Sequence, residues 1–100
     1  MDAMTNTLRK VIDGYAGKAL NGHSYLTISP DEQVFTVVAV GKIEGERFVN
    51  VGLVVHLIAD RIVIERDVND KPLVDALIQA GIPRSQIVLA YAGEPVEELL

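Results

Sequence analysis

The sequence predicts an α+β domain: an N-terminal helix, a mostly antiparallel sheet of four to five strands, and one crossover helix before the last strand. Three observations predict it. Residues 4 to 20 carry apolar side chains at three- and four-residue spacing. Residues 33 to 66 are dense in β-branched side chains and are interrupted by Glu44-Gly45 and Ala59-Asp60, links of hairpin length. From Pro72 the apolar period becomes helical, and Gly81-Ile82-Pro83 stops it before a final apolar run.

Leu8, Val11, Ile12, Tyr15 and Leu20 form the stripe of the first helix, with Thr5 or Asn6 at its start and Asn21-Gly22 after its end. Tyr25 to Ile28 reads as a short strand ended by the turn signal Ser29-Pro30-Asp31. His23 falls in the loop before it. Gln33 to Ile43 is the next strand, and Glu44-Gly45 turns the chain back. Along residues 47 to 58, Val49, Val51, Leu53, Val55 and Leu57 fall on one face, and Phe48, Asn50, Gly52, Val54 and His56 on the other. That second face mixes polar and apolar groups, which marks partial cover and a place for partner contact. Arg61 to Arg66 returns as a further strand. Leu73, Val74, Leu77, Ile78 and Ile82 make the second helical stripe, with Asp70 as its cap and Pro72 in its first turn. Gln86 to Tyr91 is apolar on both faces and is expected inside the sheet. Pro95 is expected to start a last helical turn between residues 92 and 100.

A length of 100 residues fits one domain over residues 1–100, and 49% apolar with 23% charged residues suffices for a packed core. The absence of cysteine excludes disulfides, thiolate metal sites and cysteine nucleophiles, and fits a reducing cytoplasm, the expected location. The N-terminal residues have no signal-peptide core and no apolar run approaches membrane-spanning length, so no membrane association is expected. The net charge is −5, from 14 acidic and 9 basic residues. Lys and Arg are dispersed along the chain, which disfavours direct nucleic-acid binding and suits a basic protein partner.

Few residues suggest chemistry. His56 lies mid-strand with Asp60, Glu65 or Asp67 nearby, a set that would suit a general base or metal ligand but reads more simply as a hydrogen-bonded, half-buried strand residue. A metal-assisted hydrolase or nuclease would draw on His56, Asp67 and Asp70, yet the spacing shows no three converging ligands. Neither a phosphate-binding glycine loop nor a nucleophile elbow occurs. Catalytic, cofactor-binding and metal-binding residues are therefore not assigned, and no cofactor is expected. The candidate partner-binding set is Phe48, Asn50, Val54, His56, Glu65 and Asp67.

The pair His56-Leu57, the segment Ile62-Val63-Ile64-Glu65-Arg66-Asp67, and Ala80-Gly81-Ile82-Pro83 followed by Ile87-Val88-Leu89 resemble the XisI-like family. The family takes its name from a factor controlling excision of the fdxN DNA element in cyanobacteria. The chain departs from its relatives at Val63, where Trp is usual, at Asp60, where Gly is usual, and in its acidic end at Glu97-Glu98. The resemblance implies a small α+β accessory factor, not an enzyme, that regulates excision or rearrangement of a DNA element through a companion XisH-like protein. The alternatives are a metal-assisted hydrolase or nuclease component and a direct DNA-binding excision factor. Apart from the resemblance, the mixed face of residues 47 to 58 calls for cover by a helix or by another copy of the protein, and a homo-oligomer is expected.

Overall fold

Hairpin chemistry sets the topology. Glu44 and Gly45 both take positive φ, 52° and 80°, the two-residue turn whose twist matches the strands it joins. It folds β3 (Val34–Ile43) onto β4 (Glu46–Ile58). The structure, a computed structural model, describes residues 3–96. Before this hairpin come α1 (Ala3–Asp13), β1 (Gly17–Ala19) and β2 (Gly22–Ile28); after it come β5 (Arg61–Asp67), α2 (Leu73–Gln79) and β6 (Ile87–Leu89). Six strands lie side by side in chain order, antiparallel except for β6, which runs parallel to β5 after the crossover through α2.

Both helices pack on one face of the sheet. Leu8 and Ile12 of α1 and Leu73 and Leu77 of α2 meet Phe35, Leu53, Val55, Ile62 and Ile64 in a core from which solvent is excluded. Tyr15 extends this join, its hydroxyl donating to the Lys71 carbonyl at 2.9 Å. Burial, with Asp67 and Asp75 adding like charge to the phenolate, raises its pKa.

Several expectations are corrected. The first helix ends at Asp13, and Gly17 to Ala19 form a strand rather than a helical turn. Leu20, placed by spacing in the helical stripe, is 98% exposed in the β1–β2 turn. The sheet accordingly has six strands, and β2 begins at Gly22, which takes His23 out of the loop. Asp70 does not cap α2; the Asp67 carboxylate accepts the Leu73 backbone N–H at 2.7 Å instead. Ile78 belongs to the outer side of α2. The expected last helical turn does not form at residues 94–96, and its remainder lies outside the described residues.

The final strand is an edge strand, not an internal one. Its outward backbone groups are nevertheless occupied. Leu89 N–H donates to Glu94 Oε1 at 2.9 Å, Glu94 N–H donates to the Leu89 carbonyl at 3.1 Å, and Arg84 Nη1 donates to the Ile87 carbonyl at 2.8 Å. Arg84 Nη2 and Glu94 Oε2, 2.6 Å apart, close the clip. An apolar edge is thus shielded from pairing with another chain. The Leu89 N–H, then Arg84, hold the Glu94 carboxyl below its ordinary value of 4.5. The clip's contribution to stability is therefore complete above about pH 4.5 and fades as pH falls through the lowered value. In urea unfolding at a series of pH values, Glu94→Gln is expected to flatten that part of the acid decline; an unchanged decline contradicts the clip.

The β4–β5 link holds Ala59 at φ 54°, a left-handed conformation that an L side chain resists. Ala59→Gly is expected to stabilise the fold by about 1 kcal/mol. A urea midpoint that rises at unchanged slope is the confirming result.

Candidate functional site

Two β-bulges decide which residues share a surface. Between β3 and β4 the register passes from Val37 opposite Leu53 to Val38 opposite Val51, leaving Gly52 as an extra residue. Between β4 and β5 it passes from Val54 opposite Arg66 to Val55 opposite Ile64, leaving Glu65 extra. Each insertion reverses the in–out alternation along its strand. At the first bulge the Gly52 carbonyl accepts the Val68 N–H at 3.0 Å and the Asn69 side-chain amide at 3.1 Å. These bonds anchor the chain as it leaves β5 for α2.

The single alternation expected along β4 is therefore interrupted, and the six candidate residues fall into two groups. Phe48 and Asn50 turn to the side of the sheet that carries the helices, in register with Gly41 and Ala39. The Phe48 ring lies over Gly41, so close that a Cβ added there would sit 2.9 Å from it. Asp67 also belongs to the helix side. Its Oδ1 accepts the Asn69 backbone N–H at 3.0 Å and the Asn69 side-chain amide at 2.9 Å, while its Oδ2 receives Leu73. Both oxygens are engaged in holding the β5–α2 connection.

Val54, His56 and Glu65 stand on the opposite face, which neither α1 nor α2 covers, although Val63 and Val88 on the same face are only 1% and 6% exposed. Here the second bulge brings Glu65 to His56, with Nε2 and Oε2 2.6 Å apart and side chains 28% and 44% exposed. Arg66, beside them, donates through Nε to the Val51 carbonyl at 2.6 Å. The pair is a hydrogen bond with neutral His and an ion pair with its protonated form. His56, Asp67 and Asp70 do not converge, and among the described residues no group of three His, Asp or Glu is placed to hold a metal ion.

The open face contains more than the candidate set. Tyr25, Val34 and Val49 are 52%, 38% and 70% exposed there, and the His23 and Tyr25 rings stack with centroids 4.5 Å apart. Alternation along residues 34 to 43 already carried this signal, since Val34, Val38 and Val40 have the opposite parity to the core residues Phe35 and Val37. A shallow groove on the helix side runs between α1 and β2, lined by Asn6, Arg9, Lys10, Asp13 and Leu26. No described helix is long and apolar enough to cross a membrane.

Among the described residues, a six-stranded sheet in chain order, its last strand parallel and α1 and α2 on one face, defines a small α+β protein. The chain belongs to the XisI family: the family model described as XisI protein matches residues 1–99. The fold is similar to the crystal structure of a XisI-like protein from Anabaena variabilis ATCC 29413, with TM-score 0.67 and 15% identity over 86% of this chain and 81% of that one. It is likewise similar to the fdxN element excision controlling factor XisI from the same organism, with TM-score 0.66 and 21% identity over 87% and 88% of the two chains. At these identities the likeness shows the fold alone. No curated protein matches the chain.

Proposed function

We propose that this chain is a non-catalytic controlling factor that regulates excision or rearrangement of a DNA element by contact with a companion XisH-like protein in the cytoplasm. The observation that carries the reading is the family match over residues 1–99, together with a structural relative that bears the name of an excision controlling factor. The geometry supports it. His56 meets a single carboxylate, Glu65, and Asp67, the acid that a metal-assisted reaction would recruit, is occupied by backbone and amide donors on the other side of the sheet.

The test uses DNA carrying the element bordered by its own ends. The chain alone, supplied with magnesium, is expected to leave this DNA intact, whereas adding it with its companion to the recombinase that excises the element changes the yield of excised product. Processing of the DNA by the chain alone, abolished in His56→Ala, contradicts the proposal and favours the metal-assisted reading.

A further inference from the structure

Five of the nine cations of this chain fall on one face of its sheet, and Arg9, Lys10, Lys71 and Arg84 lie outside it. Strand register places Lys18, Lys42, Arg47, Arg61 and Arg66 on the open face. One strand carboxylate, Glu65, joins them, and it is engaged by His56. Asp13 and Asp75 lie on the helices, Glu46 and Asp67 on the helix side of the sheet, and Asp31, Glu32, Glu44, Asp60, Asp70 and Glu94 in turns and connections. A protein of net charge −5 thus presents a cationic sheet face. Net charge is a sum over the whole surface, whereas docking responds to the local potential. The basic partner expected from the sum is the wrong sign for this surface.

The cations bound an apolar strip. Val38 stands opposite Val51 and Val40 opposite Val49, with Tyr25 beside Val38 on β2. Lys42 and Arg47 pair at one end of the face, and Arg61 marks the other. The molecule measures 43 × 26 × 25 Å, and a face of the two larger dimensions accommodates the ~800 Å² that each partner of a standard interface buries.

We propose that the companion protein docks on this open face, meeting it with an apolar stripe flanked by carboxylates. The proposal rests on the reading of the chain as a controlling partner and adds to it the surface used and the chemistry that fits. Two other occupants suit the face less well. A second copy stacked by a twofold axis would set one cationic face against another. Single-stranded nucleic acid binds through aromatic platforms, and this face offers valines with only the His23–Tyr25 pair at its margin.

The experiment is calorimetric titration of the purified chain with the proposed companion, a XisH-like protein, at low and high salt. Lys42→Glu/Arg47→Glu is expected to weaken binding about tenfold or more and to remove most of its salt dependence. Arg9→Glu/Lys10→Glu, on α1, is expected to change it by less than about twofold. Val49→Ser should weaken binding at both salt concentrations, and thermal unfolding confirms that each variant is folded. Equal binding by the two charge-reversal variants overturns the docking face while leaving the controlling-partner reading intact. Failure of the unaltered chain to bind the companion overturns both. Binding of a DNA oligonucleotide that Lys42→Glu/Arg47→Glu abolishes, or self-association that Val49→Ser abolishes, assigns the face to nucleic acid or to a second copy and overturns the proposal.

Discussion

Phe35→Ala is expected to destabilise the protein by about 3–5 kcal/mol, the largest effect of any single truncation proposed for this fold. Phe35 is 1% exposed and in register with Ile28 on one side and Val55 on the other. It is the largest of the fully buried side chains, and it belongs to the core formed by both helices and the sheet. Helices that cover one face only cannot close easily over a void in the middle of that face. Domains of this size have total stabilities of roughly 5–15 kcal/mol, so the variant should lose a large fraction of it and on the order of 20 °C in Tm. Phe35→Leu, which retains most of the volume, should lose less than about 1.5 kcal/mol. Urea unfolding of both variants measures the difference. Similar losses, or a loss below about 1.5 kcal/mol for Phe35→Ala, would place Phe35 outside the core that the helices complete.

Asp67→Ala is expected to cost about 2–3 kcal/mol, more than most polar substitutions on a strand. Its carboxylate accepts the Leu73 N–H at the start of α2 and two N–H groups of Asn69. Removal leaves the first turn of α2 without this acceptor and loosens the chain that crosses from β5 to β6. Asp67→Asn keeps one acceptor oxygen and should recover part of the loss. The same pair of variants separates a structural role from partner contact. A structural Asp67 changes unfolding and leaves the affinity of the folded protein nearly unchanged. Wild-type stability in Asp67→Ala together with lost partner binding would show the reverse.

Much of the fold was legible because local and tertiary preferences agree over the long elements. The β3–β4 hairpin combines β-branched strands with Glu44-Gly45 at the turn, and α2 combines a helical period with the Gly81-Pro83 stop. Gly81 indeed sits at φ 98°. β1 was missed because Gly17-Lys18-Ala19 has no strand propensity of its own; pairing with β2 creates it. β6 was misplaced because two buried faces resemble an internal strand. Its edge is closed by Arg84 and Glu94, charges that lie outside the strand and leave no mark on its pattern.

The candidate site was less legible, for a reason confined to two residues. Strict alternation joined Phe48 and Asn50 to Val54 and His56. The bulge at Gly52 separates them, and the bulge at Glu65 delivers that carboxylate to His56. An isolated glycine inside a strand was the available signal for the first bulge. Nothing comparable announces the second, since glutamate has no conformational preference for such a position. The gathering of cations on the open face follows from the same registers and cannot be counted from the sequence without them.

Light scattering on the species purified after co-expressing this chain with the proposed companion, a XisH-like protein, tests the central claim most directly. A stable particle whose mass requires both chains is the predicted result. A homo-oligomer of this chain that leaves the companion unbound would contradict it.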